Sequence, residues 1–190
     1  MDDAKSDMRK AAAASRTGAH AQVDPTPALG ALVDEITARQ PQMVAGYVAI
    51  RSELDPAPAL KRLHAAGIAL CLPVVSGARR PLVFRLWAPG AEMTVGSFQV
   101  PIPLEDTPAD PDLLITPLLA FDDRGYRLGY GGGFYDRTLA QRLHAHSIGL
   151  AYATQKVPRV PTEPTDQPLD TVITERAVHR FRPCPPDGYG

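Results

Sequence analysis

Apolar residues recur at two spacings along the chain, and these spacings predict helices and strands. Apolar positions i, i+3, i+4 and i+7 from Leu29 predict an amphipathic helix over residues 28–38. Short apolar runs bounded by Gly, Pro or charged residues predict buried strands. These runs lie at 43–50, 68–75, 82–87, 113–116, 147–154 and 171–174. Further helices are predicted at 2–16, 56–66 and 134–143.

The order of these elements predicts the fold class. Helices alternate with strands along the chain, which favours an α/β fold with a mostly parallel central sheet flanked by helices. The 190 residues are enough for one core, and no repeat or shift in composition marks a second. We therefore expect a single three-layer domain over residues 1–190. Pro-rich loops are predicted at 101–111 and 157–168.

Composition narrows the classes of function. A net charge of −1 gives no strong field that would attract nucleic acid or a membrane surface. Cys71 and Cys184 are too far apart for a disulfide framework and lack metal-ligand spacing. The acidic N-terminus is unlike a signal peptide, and no apolar run is long enough to span a bilayer. We expect a cytoplasmic monomer that binds a small molecule, and neither nucleic acid nor membrane.

The segment from Arg127 to Arg137 carries most of the candidate chemistry. It reads Arg-Leu-Gly-Tyr-Gly-Gly-Gly-Phe-Tyr-Asp-Arg, and its bare glycine backbone lets N–H groups approach a ligand closely. A glycine-rich loop that leads into a helix is typical of a phosphate site. The loop lacks the Gly-Lys-Ser/Thr of a Walker motif, and Phe134 occupies the third glycine position of a dinucleotide fingerprint. A structural turn is the alternative interpretation.

Charged residues near this loop and elsewhere each allow two interpretations. Asp136 starts the predicted helix, where it either favours the helix dipole or holds a metal ion beside phosphate. Arg127 is either a phosphate ligand or an exposed turn residue. Lys5 and Arg9 share one face of the first helix, which is either an anion site or a solvated surface. Glu53 follows a predicted strand, where it either faces a ligand or begins the next helix.

The stretch from Phe121 to Arg137 resembles the signature of the 5-formyltetrahydrofolate cyclo-ligase family, also called methenyltetrahydrofolate synthetases. That signature has an aromatic-Asp pair, a turn, Arg-Leu-Gly, and a Gly-rich run that ends in two aromatics and Asp. Lys5-Ser-Asp-Met-Arg9 is similar to the N-terminal motif of the family, and Pro161 to Asp170 is similar to a segment near its C-terminus. The resemblance extends from Lys5 to Thr174.

The resemblance implies ATP-dependent cyclisation of 5-formyltetrahydrofolate to 5,10-methenyltetrahydrofolate, with release of ADP and phosphate. It implies ATP and Mg²⁺ as cofactors, with Lys5 and Arg127 catalytic and helix 1–16 folded over the nucleotide. The implied ATP-binding residues are Lys5, Arg9, Arg127, Leu128, Gly129, Tyr130, Gly131, Gly132, Gly133, Phe134 and Tyr135. The implied folate contacts are Val48, Glu53, Tyr130, Gly131, Gly132, Gly133 and Phe134. The implied metal ligands are Asp136 and Asp166, with Glu163 and Asp170 as alternatives to the second.

Two other functions stay open at this point. A nucleotide- or phosphate-binding module without catalysis would keep the glycine-rich loop. A relative with an altered folate substrate is suggested by Ile102, which stands where many family members have Glu; Glu105 is the nearest acidic residue that would replace it. RNA binding through the Arg/Gly/Tyr run is disfavoured because the chain has almost no net charge.

Overall fold

A computed structural model describes residues 2–181, with side chains from residue 5 onward. The helices are α1 (Asp2–Gln22), α2 (Thr26–Arg39), α3 (Ala57–Ala65) and α4 (Phe134–Gln141). The strands are β1 (Met43–Ala45), β2 (Ala69–Val75), β3 (Leu82–Trp87), β4 (Met93–Val95), β5 (Pro101–Pro103), β6 (Pro108–Ala109), β7 (Leu113–Thr116), β8 (Ala120–Phe121), β9 (Arg127–Leu128), β10 (His146–Leu150), β11 (Thr171–Ile173) and β12 (Val178–Arg180). Cys184 and its neighbours lie outside the described residues.

The central sheet has eight strands in the order β12-β11-β10-β7-β1-β2-β3-β6. The strands from β11 to β2 are parallel to one another. At the two edges, β12, β3 and β6 pair in antiparallel fashion. The prediction of a mostly parallel sheet is therefore confirmed. Within residues 2–181, no helix combines the length and the apolar content that crossing a membrane requires.

Helices cover the sheet on both faces. Successive strand residues point to opposite sides, so a strand covered on both sides must be apolar throughout. On one face, Val44 packs in a cluster with Leu32 of α2 and Leu63 of α3. On the other face, Ala45 belongs to a cluster with Leu139 of α4. This arrangement confirms the predicted three-layer α/β fold.

The chain leaves the sheet in opposite directions on the two sides of the β1–β7 pair. The connection after β1 leads to β2, and the connection after β7 leads to β10 on the other side. In an open α/β sheet, such a point opens a crevice at the carboxyl ends of the strands, where ligands bind. Two segments therefore meet there: the post-β1 segment (residues 46–56) and the post-β7 segment (residues 117–133).

α1 is longer and more buried than its sequence predicts. The Ala-rich pattern predicts an exposed helix over 2–16 with a break at Gly18, but the helix continues through Gly18 to Gln22. Arg16 is only 2% exposed, and Ala12 and Ala19 are also buried. The prediction was wrong because alanines give a weak apolar pattern, although their small side chains allow the helix to pack closely.

Two strand predictions also change. β1 ends at Ala45, so the apolar residues up to Ile50 belong to the post-β1 segment. Residues 93–103 form the β4–β5 hairpin, which stands outside the central sheet. The predicted loop at 101–111 therefore contains β5 and β6. Phe98 lies at the tip of the hairpin with a φ of 57° and 74% of its surface exposed.

Candidate functional site

The glycine-rich loop (residues 129–133) connects β9 to α4 at the crevice. Gly131 and Gly133 have φ values of 97° and 63°, a region that residues with side chains rarely adopt. No side chain caps the N-terminus of α4, and the loop N–H groups donate to no backbone carbonyl within residues 2–181. The loop therefore presents free donors beside a helix N-terminus, which is the arrangement that binds phosphate.

Two guanidinium groups lie over the loop backbone. Arg9 Nε donates to the carbonyl of Gly129 at 3.1 Å, and Arg137 Nη2 donates to the carbonyl of Gly132 at 2.6 Å. The guanidinium carbon of Arg9 lies 3.4 Å from the place where a Cβ on Gly131 would be. The sequence predicts Arg9 at this site, whereas the contribution of Arg137 was not predicted. Together they add positive charge to an already anion-selective loop.

Arg127 and Asp136 form an ion pair beside the loop. Arg127 Nη2 donates to Asp136 Oδ1 at 2.9 Å, and the Arg127 side chain is 4% exposed. Arg127 Nη1 donates to the carbonyl of Gln167 at 2.8 Å, and the Gln167 N–H donates to the same Asp136 oxygen at 3.0 Å. Arg127 is thus buried and fixed, which excludes the alternative of an exposed turn arginine.

Lys5 brings the N-terminal helix to the loop that carries Asp166. Lys5 Nζ donates to Glu163 Oε1 at 2.8 Å and to Asp166 Oδ2 at 3.3 Å. Burial lowers the pKa of Lys5, but hydrogen bonds and charge from the two carboxylates outweigh burial and raise the pKa overall. Lys5 is therefore a charged group at the site, and the alternative of a freely solvated helix face does not hold for it.

Asp136 and Asp166, the two residues predicted to bind a metal, each keep one carboxylate oxygen free. Each uses one oxygen for the contacts above, and the other oxygen accepts no hydrogen bond from the residues that the structure describes. Mg²⁺ commonly binds one or two carboxylates together with phosphate oxygens and water. Among residues 5–181, whose side chains the structure describes, no three or more His, Cys, Asp or Glu side chains are grouped so that they could hold a metal ion.

Asp170, one alternative to Asp166, has a structural position. Asp170 Oδ2 accepts hydrogen bonds from the backbone N–H and the hydroxyl of Ser147, both at 2.8 Å. These contacts tie the start of β11 to β10. Glu163, the other alternative, is half exposed and already bonded to Lys5.

An apolar cavity of about 370 Å³ lies between the post-β1 segment and the β4–β5 hairpin. Its walls include Tyr47 and Val48 from the post-β1 segment and Trp87 at the end of β3. Phe98 at the hairpin tip contacts Phe134 at the start of α4, with ring centroids 6.0 Å apart. The hairpin thus spans from the cavity to the glycine-rich loop, and flat aromatic walls suit a planar ring system.

Glu53 is buried in the post-β1 segment, with 4% of its surface exposed. Glu53 Oε2 accepts the backbone N–H of Ile50 at 2.9 Å. Burial raises the pKa of the Glu53 carboxyl, while the Ile50 N–H and the charge of Arg16 oppose this rise. At the start of α3, it is Asp55 that accepts a hydrogen bond from a backbone N–H, that of Ala57, at 2.9 Å. Glu53 therefore has no role in beginning that helix.

Arg16 is a second charged residue at the crevice, after Arg137, that the sequence did not predict. Its guanidinium donates to the hydroxyl of Tyr130 at 2.6 Å and to Ser52 Oγ at 3.2 Å. Its other terminal nitrogen donates to the carbonyl of Leu118 at 3.4 Å. The available signal was a long cationic side chain within a run of alanines, on the side of the helix that packs against the protein.

Two residues implied for nucleotide binding direct their side chains into the protein interior. Leu128 is 3% exposed and packs in a cluster with Ala12 and Leu119. Tyr135 packs against the cluster on the α4 face of the sheet, and burial raises the pKa of its phenol well above the usual range. A nucleotide in the loop would therefore meet mainly the backbone at these two positions.

A model of the 5-formyltetrahydrofolate cyclo-ligase family matches residues 4–175. The chain belongs to this family. The Escherichia coli 5-formyltetrahydrofolate cyclo-ligase is 37% identical over 143 residues, which cover 71% of this chain and 79% of that protein. The Haemophilus influenzae cyclo-ligase is 35% identical over 150 residues, which cover 73% and 78%.

Solved structures agree with the family assignment. The NMR structure of Aquifex aeolicus 5,10-methenyltetrahydrofolate synthetase matches with a TM-score of 0.77 and 28% identity, covering 97% of this chain and 96% of that one. The Mycoplasma pneumoniae 5,10-methenyltetrahydrofolate synthetase matches with a TM-score of 0.71. At 24% identity, with 92% and 99% covered, this second match supports the fold alone.

Ile102, which departs from the family pattern, packs within the hairpin. A Cβ on Gly96 would lie 2.7 Å from Ile102 Cγ2, so the two residues are in close contact across the β4–β5 pair. Glu105 lines a second cavity of about 670 Å³ and accepts a hydrogen bond from Thr107 at 2.9 Å. Neither Ile102 nor Glu105 is among the residues that line the cavity containing Val48.

Proposed function

We propose that this protein cyclises 5-formyltetrahydrofolate to 5,10-methenyltetrahydrofolate, using ATP and releasing ADP and phosphate. The observation that carries the proposal is the glycine-rich loop of a cyclo-ligase family member, with free N–H groups between Arg9 and the Arg127–Asp136 pair. The adjoining apolar cavity supplies space for the folate. A site for phosphate next to a site for a flat ring is what this reaction needs.

The proposed reaction has two steps. First, the formyl oxygen attacks the γ-phosphorus of ATP, the bond to the β-phosphate breaks, and ADP leaves with that electron pair. Second, N10 attacks the formyl carbon, the carbon–oxygen bond breaks, phosphate leaves, and the N10 proton passes to water. Phosphoryl transfer of this kind depends on positioning and charge neutralisation more than on a covalent intermediate with the protein.

The charged residues around the loop divide this work. Lys5, Arg9 and Arg127 neutralise phosphate charge, and the backbone N–H groups of residues 129–133 orient the phosphate chain. Asp136 and Asp166 would hold Mg²⁺ through the oxygens left free by their protein contacts. When bound, Mg²⁺ would neutralise charge on the phosphate oxygens. Because the metal needs phosphate to complete its ligands, we expect it to enter with ATP.

The folate would occupy the cavity with its reacting end toward the loop. Val48 lines this cavity, and Phe134 stands at the junction between the hairpin tip and the loop. Glu53 of the post-β1 segment and Tyr130 of the post-β7 segment both approach Arg16 and would face the formyl-bearing ring. The free N–H groups of Gly131 to Gly133 would then serve both ligands, which supports their assignment to the ATP and folate sites together.

A direct assay tests this function. Purified protein is mixed with 5-formyltetrahydrofolate, ATP and Mg²⁺, and the absorbance of the methenyl product is followed with time. We expect product only when all three additions are present. Tight nucleotide binding without product would instead indicate a binding module that lacks catalysis.

Lys5→Met is expected to raise the KM for ATP about tenfold while leaving the affinity for 5-formyltetrahydrofolate nearly unchanged. A charge-assisted hydrogen bond to phosphate is worth about 1.5–3 kcal/mol, and this substitution removes one. The measurement is steady-state kinetics with each substrate varied in turn.

Lys10→Met is the matched control on the same helix. Lys10 is highly exposed and lies 3.8 Å from Asp7, away from the loop. Its loss should leave both KM values unchanged, because an exposed ion pair contributes little. Equal KM values for ATP in Lys5→Met and Lys10→Met would remove Lys5 from the nucleotide site.

We also propose that the protein works in the cytoplasm as a monomer and binds neither nucleic acid nor membrane. The free buried thiol of Cys71 suits a reducing compartment. The net charge of −1 supports a small-molecule enzyme more than a partner for polyanions. Sedimentation velocity would test the monomer directly.

A further inference from the structure

Arg16 joins the two segments that diverge at the β1–β7 switch point. On the post-β1 side it donates to Ser52 Oγ at 3.2 Å, and its Nη1 lies 3.8 Å from Glu53 Oε1. On the post-β7 side it donates to the Leu118 carbonyl at 3.4 Å and to the Tyr130 hydroxyl at 2.6 Å. One side chain from α1 therefore connects both walls of the crevice.

Burial makes these contacts strong. Arg16 is 2% exposed and Glu53 is 4% exposed, so water screens their attraction only weakly. A buried carboxylate without a positive partner tends to take up a proton. Together with the Ile50 N–H, Arg16 therefore favours the charged form of Glu53 against the effect of burial, and it fixes the place of the Tyr130 ring.

We infer that Arg16 is a positioning residue for the cyclo-ligase reaction: it favours the charged form of Glu53 and holds Tyr130 in place at the junction of the folate and nucleotide sites, without touching either ligand. This inference rests on the proposed function, because it assigns Glu53 and Tyr130 to the folate side of the site. Arg16 acts through them, so its substitution should change how they bind rather than remove a ligand contact.

The other charged and titratable groups around Glu53 stabilise its charged form less than Arg16 does. Arg51, in the same segment, adds positive charge but is exposed and therefore screened. The Tyr130 hydroxyl accepts a hydrogen bond from Arg16 and, as a nearby polar group, also lowers the pKa of Glu53. Tyr47 and Tyr135 are buried phenols that stay neutral beside the carboxylate. Arg16 is therefore the single buried cation among the described groups that face Glu53.

The test compares the pH dependence of 5-formyltetrahydrofolate binding in wild type, Arg16→Met and Arg16→Lys, measured by titration calorimetry. A nearby opposite charge lowers the pKa of a carboxyl by about one to three units. We expect binding to weaken as the pH falls and Glu53 takes up a proton. In Arg16→Met, the pH at which binding weakens should be higher by about one unit. In Arg16→Lys, the pH at which binding weakens should return most of the way to the wild-type value. Binding should stay weaker than in the wild type because the fixed contacts to Leu118 and Tyr130 are lost.

Two features separate this role from a merely structural one. Loss of folded protein lowers the amount that binds but does not move the pH at which binding falls. The ligand is the same in every titration, so its own protonation cancels between variants. If binding weakens at the same pH in wild type and Arg16→Met, the inference is overturned.

A neutral pair keeps the test valid if Arg16→Met folds poorly. The double variant Arg16→Met, Glu53→Gln leaves no unpaired buried charge, so it should fold. We expect the double variant, like Glu53→Gln alone, to bind weakly and to lack the loss of binding at low pH that protonation of Glu53 causes. If the double variant still loses binding at the same low pH, the role given to Glu53 is contradicted.

A ligand-free measurement distinguishes failure of this inference from failure of the proposed function. Carboxyl NMR of the free protein reports the pKa of Glu53 directly, and Arg16→Met should raise it by about one unit. If wild type binds no 5-formyltetrahydrofolate, the proposed function fails, together with the part of the inference that concerns ligand binding. An unchanged Glu53 pKa would overturn the link between Arg16 and Glu53 whatever the protein binds.

Discussion

Asp136→Asn is expected to lower turnover by about 10²- to 10³-fold, since metal-assisted charge neutralisation is worth several kcal/mol. The substitution preserves the shape of the side chain. An amide oxygen in the place of Oδ1 keeps the hydrogen bonds from Arg127 Nη2 and the Gln167 N–H. The amide NH₂ then replaces the free Oδ2, and an NH₂ group does not bind a cation. The variant therefore removes one metal ligand with little change in packing.

The measurement is the rate of methenyl product formation as a function of Mg²⁺ concentration. We expect Asp136→Asn to need far more Mg²⁺ and to reach a lower maximal rate, and also to melt at a lower temperature, because the buried Arg127 loses its charged partner. Asp170→Asn is the matched control, because that carboxylate is held by Ser147. It should lower the melting temperature and leave the Mg²⁺ dependence unchanged. Normal turnover of Asp136→Asn at ordinary Mg²⁺ would exclude Asp136 as a ligand.

Gly131→Ala is expected to weaken ATP binding by about 30- to 100-fold, comparable to the loss of a preorganised donor at a phosphate. The φ of 97° at Gly131 is unfavourable for alanine, so the loop must shift or carry strain. The new methyl group would also lie 3.4 Å from the Arg9 guanidinium carbon. Both effects act where the phosphate chain would lie. The measurement is the dissociation constant of an ATP analogue.

Gly67→Ala controls for backbone strain alone. Gly67 has a φ of 86° after α3, and a Cβ there would meet nothing within 4 Å. Both variants should lose about 1–2 kcal/mol of unfolding free energy through strain. Only Gly131→Ala should lose nucleotide affinity. Equal nucleotide affinities in the two variants would mean that the Gly131 backbone does not approach phosphate.

The fold was largely predictable because its main signals are local. The apolar spacing from Leu29 predicted α2, and β-branched runs predicted the parallel strands at nearly their observed places. The ends of elements were less predictable, since tertiary contacts decide them. α4 ends at Gln141, which leaves Leu143 86% exposed where a longer helix would have turned it inward. The β4–β5 hairpin was missed because both strands have only three residues and β5 contains two prolines.

The candidate site divides in the same way. The glycine-rich loop and Asp136 were visible because a phosphate cradle and its helix N-terminus are contiguous in sequence. Arg16 was not visible, because Ser52, Leu118 and Tyr130 become its partners only through tertiary folding. A lone arginine among alanines predicts a solvated helix face on local grounds. The cavity was likewise hidden, since β5 was predicted as part of a loop and β4 was not predicted at all.

The central claim is that bare backbone N–H groups between Gly129 and Gly133 bind the phosphates of ATP beside Asp136. A crystal structure with a non-hydrolysable ATP analogue and Mg²⁺ tests it most directly. We predict phosphate oxygens within hydrogen-bond distance of these N–H groups, and the metal between phosphate and the carboxylates of Asp136 and Asp166. A nucleotide bound elsewhere, with the glycine-rich loop empty, would contradict the account.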